Sequence, residues 1–265
     1  MPGGSQVVVT PTPTPTPPPR KTDEIIGKVS QQTKNLRGTY GVYVYNLTGK
    51  YFYGFNENEI FTAASLIKLP VILTLYQEAE KGNVNLETKY TLRQEDKRAG
   101  AGSLLGRPVG TVYTYRKLAE LMGKQSDNTA FTALKRILGE KKIQVTIDDL
   151  GMSKTSLPRN ETTPADIGLF FRRLYGGSIV TREHRDEILG FLTDTIYEDR
   201  IPAGVPEGTR VAHKIGTETG IFSDGGIVFA PRPFILVILS KSALEKEAKT
   251  ALMEITKAVW EFEDK

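Results

Sequence analysis

The position of the strand-like segments constrains the fold more than any other feature of this sequence, because they stand at both ends of the chain around a long helical middle. Alternating apolar, β-branched and aromatic residues predict strands at residues 40–45, 51–55, 210–215, 222–229 and 234–240. The residues Asn46-Leu47-Thr48-Gly49 are a turn signal between the first two. We therefore expect an α+β fold, in which one antiparallel sheet is built from both ends of the chain, helices cover its faces and a helical lobe is inserted.

Apolar periodicity and capping residues predict the helices of this middle region and of the two ends. They are expected at residues 22–35, 65–81, 115–122, 128–138, 164–175, 182–192 and 243–262. Gly82-Asn83 is a stop signal for the second of them. Pro164 suits a first helical turn, with Thr162 or Thr163 as the capping residue.

Length and composition indicate a domain of enzyme size and exclude several classes of function. Of the 265 residues, 39% are hydrophobic, which is enough to bury a sizeable core. The net charge of +4 comes from 35 basic and 31 acidic residues without a basic run, so we expect no nucleic-acid partner. The chain has no cysteine, which excludes disulfides and thiol catalysis. His184 and His213 have no partner at metal-ligand spacing, so we expect structural histidines and neither a metal nor a cofactor.

The first twenty residues differ in composition from the rest of the chain. Threonine alternates with proline from Thr10 and gives way to a proline run that ends at Pro19. Such a tract favours extended polyproline II and cannot form a packed core, so we interpret residues 1–21 as a flexible linker. One interpretation is a tether that joins an extracytoplasmic domain, periplasmic or at the cell surface, to a membrane or wall module outside this sequence. The alternative is a cytosolic protein with a flexible tail.

Three short segments carry candidate catalytic residues in rising order: Ser65-Leu66-Ile67-Lys68, Ser126-Asp127-Asn128 and Lys214-Ile215-Gly216. A serine hydroxyl is a poor nucleophile at neutral pH unless a nearby base takes its proton. Lys68 follows Ser65 by three residues, a spacing that puts both side chains on one face of a helix. Together the segments indicate serine acyl transfer. Taken singly, the second segment is also a plausible helix cap and Lys214 a solvated strand lysine.

With their flanks at residues 61–70, 121–130 and 212–217, these segments resemble the three signatures of class A β-lactamases and penicillin-binding proteins. The likeness extends from about Thr22 to the C-terminus, so we assign residues 22–265 to one catalytic domain. The resemblance implies the β-lactamase/transpeptidase-like fold, with the site in the cleft between the sheet and the helical lobe. It also implies a β-lactam or a D-alanyl peptide as the substrate, and we expect a monomer.

The resemblance implies a role for each catalytic residue. Ser65 would attack a carbonyl carbon, and Ser126 would relay a proton to the leaving nitrogen. Lys214 would supply positive charge near Ser126 and the carboxylate of the substrate. Lys68 must be at least partly neutral to act as the base, and we expect burial and the Lys214 cation to lower its pKa.

The substrate-binding residues also follow from the resemblance. The amide of Asn128 is expected to hold the side-chain carbonyl of the substrate, and the backbone N–H groups of Ser65 and Thr217 are expected to form the oxyanion hole. Gly216 and Thr219 complete the predicted binding set. Thr217 or Thr219 would also replace the hydroxyl lost at Ile215, where the family usually has Thr or Ser, so carboxylate recognition is weakened rather than abolished.

A second departure from the family pattern concerns the loop before the helix at Pro164. Class A β-lactamases hold on this loop a glutamate that activates the hydrolytic water. Here only ten residues, 152–161, separate Gly151 from Thr162, and Glu161 is the only acid among them. Glu161 is either a displaced base or the structural anchor at the end of the loop, and its place beside Thr162 favours the anchor. We expect Leu157 to occupy the region where the water would lie.

Three functions remain open at this stage. The favoured one is an enzyme resembling penicillin-binding proteins, which is acylated by β-lactams, acts on D-alanyl peptides and hydrolyses β-lactams slowly. The second is a true class A β-lactamase. The third is a cell-surface binding domain without turnover, which would be preferred if Lys68 or Ser126 were missing, and neither is.

Overall fold

The computed structural model describes residues 21–264, so all of the predicted linker except Lys21 lies outside the described residues. The helices in this range are α1 Lys21–Gln31, α2 Lys68–Glu80, α3 Tyr115–Lys124, α4 Asn128–Leu138, α5 Glu140–Asp149, α6 Pro164–Gly176, α7 Arg182–Phe191 and α8 Glu245–Glu263. The strands are β1 Thr39–Asn46, β2 Phe52–Phe55, β3 Phe61–Thr62, β4 Lys89–Thr91, β5 Val112–Thr114, β6 Glu161–Thr162, β7 Val211–Glu218, β8 Ile221–Val228 and β9 Phe234–Lys241.

The main sheet joins the two ends of the chain. Its strand order is β2-β1-β9-β8-β7, and every neighbouring pair is antiparallel. β1 pairs with β9 along its whole length, from Thr39 opposite Lys241 to Asn46 opposite Phe234. The predicted α+β fold, with one antiparallel sheet from both ends of the chain, is therefore confirmed.

Different helices cover the two faces of the main sheet, and β9 lies at the centre of that sheet. Residues Phe234 to Ser240 are all buried, and a strand that is covered on both faces reads as a continuous apolar run. One face packs on α1 and α8 through residues such as Ile25, Leu252 and Val259. The other face packs on α6 and is continuous with the core of the helical lobe. No helix in residues 21–264 is long and apolar enough to cross a membrane.

The helical lobe is built around α2, which is buried on nearly every side. Pro70 is tolerated in its first turn because the N–H groups of that turn have no partner within the helix. At the start of α6, Thr163 is the capping residue, since its hydroxyl accepts from the N–H of Asp166, and Pro164 is the first helical residue. The predicted start of this helix is thus confirmed, and the choice between the two threonines falls on Thr163.

Away from the Ser65 segment, the structure differs from the sequence predictions in several places. α1 ends at Gln31 rather than at residue 35. α5 was not predicted, because its apolar stripe consists of little more than Ile143 and Ile147 among charged residues. The two short ladders, β3 with β6 and β4 with β5, contain two or three residues per strand, too few for a periodic signal.

Asp127 connects α4 to the loop that precedes it. Its carboxylate is fully buried and accepts two backbone hydrogen bonds at 2.8 Å, one from the N–H of Ala130 in α4 and one from the N–H of Leu104. The segment containing Gly102 passes so close to Asp127 that a Cβ at this glycine would collide with the carboxylate. Asp127 therefore fixes the start of α4 relative to the loop around residues 99–104.

We expect Asp127→Ala to lower the free energy of unfolding by about 3 kcal/mol, because it removes a helix cap and leaves two buried N–H groups without an acceptor. Denaturant titration measures the change. Asp149→Ala, at an exposed position near the end of α5, is the control and should stay within about 0.5 kcal/mol of the parent. Equal stability of the two variants would contradict the bridging role of Asp127.

Candidate active site

Ser65 lies in a short 3-10 turn, Ala64–Ile67, which leads directly into α2 at Lys68. The prediction of one helix starting at residue 65 is wrong in this detail, because the first turn is tighter than an α-helix. Ala64 precedes Ser65 with a φ of 46°, a left-handed conformation that is uncommon for a residue with a Cβ. The turn still presents both side chains on one side, and the Nζ of Lys68 lies 2.9 Å from the Oγ of Ser65.

Lys68 joins the first two sequence segments. Its buried Nζ donates to the carbonyl oxygen of Ser126 at 2.6 Å and to the Oδ1 of Asn128 at 2.6 Å, and it lies 3.2 Å from the Oγ of Ser126. Ser126 has a φ of 54°, a strained conformation in which both its carbonyl and its hydroxyl meet Lys68. One amine therefore contacts Ser65, Ser126 and Asn128.

Burial lowers the pKa of Lys68 to about 8, although the carboxylates of Asp127 and Glu218 act in the opposite direction. The neutral amine is thus accessible near physiological pH, as a general base requires. The expectation that the Lys214 cation also lowers the pKa of Lys68 is wrong. Burial is the cause of the lowering, and the repulsion between the two lysines appears instead in the pKa of Lys214.

Lys214 lies on β7, the edge strand of the sheet that faces the Ser65 turn. Its side chain is buried, and its only hydrogen bond in the described structure is a long contact of 3.5 Å to the carbonyl of Ile215. Burial, and then the proximity of Lys68, hold the pKa of Lys214 well below its ordinary value. The Asp224 carboxylate acts in the opposite direction, but among the described residues no carboxylate is hydrogen-bonded to the Lys214 ammonium group.

Residues alternate between the two sides of β7, as in any strand. A Cβ on Gly216 would lie 3.0 Å from the carbonyl oxygen of Ala63, so β7 packs directly against the turn that bears Ser65. On the opposite side, the hydroxyl of Thr217 accepts from the guanidinium of Arg200 at 2.6 Å. Arg200 also donates to the carbonyl of Gly216 at 3.2 Å, and it thereby holds the end of β7 in place.

One predicted residue, Thr219, is not brought into this group, and Ile215, the departure from the family pattern, faces away from Lys214. Thr219 lies in the exposed turn after β7, and among residues 21–264 it has no hydrogen bond to the other site residues. Ile215 is buried, and the alternation along β7 places its side chain on the side opposite to Lys214. Thr219 is therefore not in position to replace a hydroxyl at Ile215, whereas Thr217 is closer to the site through its backbone.

A cavity of about 470 Å³ opens beside Ser65 and Lys68. It is lined by residues from both lobes and from the loops between them: Ala64, Ser65, Ile67, Lys68, Glu95, Lys97, Arg98, Asn128, Phe131, Thr132, Lys135, Leu157, Asn160 and Glu218. Its size suits a small molecule or the end of a peptide. No group of three or more His, Asp or Glu side chains among the described residues could hold a metal ion.

The short loop contributes an apolar side chain to the cavity. Leu157 is buried and lines the cavity, and its backbone N–H donates to Gln144 of α5 at 2.9 Å. Glu161 does not line the cavity. Its carboxylate accepts from the Nε of Arg159 at 2.6 Å, and its backbone pairs with Thr62 in the ladder of β3 and β6.

Asn160 and Glu218 were missed by the sequence analysis. The Nδ2 of Asn160 lies 3.3 Å from a carboxylate oxygen of Glu218, which links the short loop to the end of β7 across the cavity. Asn160 has a φ of 52°, and its Oδ1 is buried without a hydrogen-bond partner. An asparagine next to Glu161 at the end of the loop was the available signal, whereas nothing in the sequence around Glu218 indicates a site.

A charged cluster centred on the buried side chains of His213 and Asp224 lies on the side of β7 opposite to Lys214. The Nδ1 of His213 is 2.9 Å from the carboxylate of Asp224 on β8, and its Nε2 is 3.4 Å from Glu198 and 3.3 Å from the hydroxyl of Thr195. Burial by itself would lower the pKa of His213, but Asp224 and Glu198 raise it to about 9. His213 is therefore a structural histidine with an ionic role, because it joins the loop around Glu198 to the sheet.

Comparison with known proteins gives a family match. The model of a family described as "Beta-lactamase enzyme family" matches residues 21–262. The beta-lactamase VEB-1 of Pseudomonas aeruginosa is 23% identical over 91% of this chain and 91% of its own. A beta-lactamase from Sphaerobacter thermophilus superposes with a TM-score of 0.83 at 27% identity, over 91% of this chain and 97% of that one.

A second similar solved structure is that of a protein that is named PBP-A rather than beta-lactamase. A leucine-to-glutamate variant of PBP-A, solved as an acyl-enzyme complex with penicillin G, superposes with a TM-score of 0.85. It is 24% identical and covers 94% of this chain and 98% of that chain. At this level of identity the likeness establishes the fold, and the expected β-lactamase/transpeptidase-like fold is confirmed.

The His213 cluster makes the free energy of unfolding depend on pH in the neutral to alkaline range. Because the pKa of His213 is raised from 6.5 to about 9, its contribution to stability is complete below pH 6.5 and is lost as the pH rises through 9. The free energy of unfolding of the parent should fall by up to about 3 kcal/mol more than that of His213→Asn over this interval. Parallel slopes in denaturant titrations of the two proteins between pH 6 and 10 would show that the imidazolium does not hold the cluster.

Proposed function

The chain belongs to the beta-lactamase enzyme family, and within that family we propose that it is an acyl-transfer enzyme resembling penicillin-binding proteins. In this proposal it forms an acyl-enzyme with β-lactams, acts on D-alanyl peptides as a D-Ala-D-Ala carboxypeptidase does, and hydrolyses β-lactams slowly. The observation that carries the proposal is the apolar Leu157 in the cavity, together with a Glu161 carboxylate engaged by Arg159 outside it.

Acylation follows from the contacts of Lys68. Its neutral amine takes the proton of the Ser65 hydroxyl, 2.9 Å away, as the serine oxygen forms a bond to the substrate carbonyl. With a pKa of about 8, about a tenth of the Lys68 amines are neutral at pH 7. When the tetrahedral intermediate collapses, the carbon–nitrogen bond breaks and the leaving nitrogen takes a proton from the hydroxyl of Ser126. Lys68 then returns its proton to Ser126, 3.2 Å away.

The remaining residues bind charge and orient the substrate. The backbone N–H groups of Ser65 and Thr217 are the proposed donors to the oxyanion, which is supported by the close packing of Gly216 on the Ser65 turn. Asn128 would hold a carbonyl of the acyl half of the substrate. A substrate carboxylate beside Lys214 would add a direct ion pair to the weaker influence of Asp224, so substrate binding and protonation of Lys214 are coupled.

Deacylation distinguishes the proposal from its nearest alternative. Water is a poor nucleophile unless a base removes its proton, and Leu157 cannot do so. A true β-lactamase is the second candidate, because two of the similar proteins named above are beta-lactamases and Glu218 lines the cavity. In this alternative, Glu218 at the end of β7 would be the base for the hydrolytic water, held in position by Asn160. A domain that binds without turnover is disfavoured by the complete set of contacts around Lys68.

The proposed substrate also suggests a location. D-Alanyl peptides are part of peptidoglycan, and we propose that the domain acts outside the cytoplasm as a monomer carried on the Thr-Pro linker. The support for the linker is the composition of residues 10–19. Binding of purified peptidoglycan fragments to the full chain tests the proposed substrate.

We expect penicillin G to add one covalent acyl group, on the peptide that contains Ser65, because this hydroxyl lines the cavity and lies 2.9 Å from Lys68, its proposed base. Intact-mass measurement followed by peptide mapping locates the adduct. Lys68→Ala and Ser126→Ala should slow acylation by roughly 10²- to 10⁴-fold each, the usual contribution of a positioned proton-transfer group. An adduct that persists in Ser65→Ala would show that another residue is the nucleophile.

The acyl-enzyme of the parent should persist, and Leu157→Glu should speed its hydrolysis by placing a carboxylate at the cavity wall. Leu157→Gln is the matched control, since it has a similar shape without the base. Glu161→Gln should change little because its carboxylate is bound to Arg159. Stopped-flow acylation and release rates are measured for these four proteins and for Glu218→Gln. Rapid turnover by the parent that collapses in Glu161→Gln or Glu218→Gln would identify a β-lactamase with a relocated base.

A further inference from the structure

Besides Ser65 and Asn128, the cavity is lined by Lys97 and Arg98, which belong to a segment at residues 97–101. This segment packs closely on Asn128, whose Nδ2 donates to the carbonyl of Ala99 at 2.8 Å and whose backbone N–H donates to the carbonyl of Ala101 at 3.0 Å. A Cβ at Gly100 would collide with the Asn128 amide. The backbone N–H of Arg98 donates to the hydroxyl of Thr129 at 3.2 Å. The position of Arg98 is thus determined by the same residues that position Asn128.

Arg98 lines the cavity, and its guanidinium has no partner in the part of the chain that the structure describes. Within residues 21–264 it has no hydrogen bond, ion pair or ring contact, and it is exposed to the cavity and to solvent. The other cations nearby are engaged. Lys97 donates to the carbonyls of Leu104 at 2.7 Å and Leu105 at 3.2 Å, and also to that of Arg107. Lys135 is 2.7 Å from Glu140.

The proposed reaction determines which part of the substrate reaches Arg98. The leaving group lies towards Ser126 and Lys214, and Asn128 holds the acyl half. The acyl half therefore extends past Asn128 towards residues 97–100. We propose that Arg98 binds a carboxylate in the acyl half of the substrate, so that this enzyme selects acyl donors with an anionic acyl group. This inference rests on the proposed function and adds a substrate class to it.

Charges around the cavity decide between an anionic and a cationic acyl group. At the Arg98 end, Glu95 is the one acid that lines the cavity, against the cations of Lys97, Arg98 and Lys135. Glu95 lies 3.9 Å from Arg136, which further offsets its charge. Glu218 lies at the β7 side of the cavity, next to Asn160. The unengaged hydrogen-bond donors near Asn128 therefore belong to the Arg98 guanidinium. A guanidinium is suited to binding a carboxylate.

Three penicillins test the inference, because they differ only in the substituent on the α-carbon of the acyl side chain. Benzylpenicillin has hydrogen there, carbenicillin a carboxylate and ampicillin an ammonium group. The second-order rate constant of acylation is measured for each with the parent, Arg98→Ala, Arg98→Glu and Arg107→Ala. Arg107 is the matched control, since its side chain is exposed and does not line the cavity. Ratios to benzylpenicillin cancel changes that affect all three compounds.

The carbenicillin ratio should fall roughly two- to fivefold in Arg98→Ala, as expected for the loss of an exposed ion pair, and should fall further in Arg98→Glu. The ampicillin ratio should rise in Arg98→Glu, and Arg107→Ala should change neither ratio. An unchanged carbenicillin ratio in Arg98→Ala overturns the role of Arg98 while the proposed function stands. Failure of benzylpenicillin to acylate the parent overturns the proposed function, and this inference with it.

Discussion

The burial of Lys68 is the constraint on which the rest of the site depends. A buried amine needs acceptors to offset its desolvation, and it finds them in Ser126 and Asn128. Ser126 lies in the loop before α4 and Asn128 is the first residue of α4, whereas Ser65 lies in the turn before α2, so one side chain holds the two segments together. The same burial lowers the pKa of Lys68 to about 8, which turns a structural contact into a usable base.

The backbone around Lys68 is strained where it presents functional groups. Ala64, Ser126 and Asn160 all adopt left-handed conformations, with φ values of 46°, 54° and 52°. Each costs of order 1–3 kcal/mol for a residue with a Cβ, and it persists because the surrounding contacts determine it. Asp127 supplies such contacts for Ser126, since its buried carboxylate anchors the loop to α4 and to Leu104.

Strongly patterned elements could be predicted from the sequence, and weakly patterned ones could not. β9 reads as a continuous apolar run, and its place at the centre of the sheet explains why. The start of α6 was readable from Thr163 and Pro164, because capping is a local interaction. α5 has too few apolar residues for a period to appear, and it forms because Ile143 and Ile147 pack into the core of the helical lobe.

The sequence by itself determined the family and predicted the candidate nucleophile and its base, because the spacing from Ser65 to Lys68 and the order of three short segments are local properties of the chain. Only the tertiary structure decided which loop residues meet at the cavity. Asn160 and Glu218 come together from distant segments, and Thr219, one residue from Glu218, does not join them. The reason is geometric: the direction of a loop side chain depends on backbone angles and packing that no short spacing encodes.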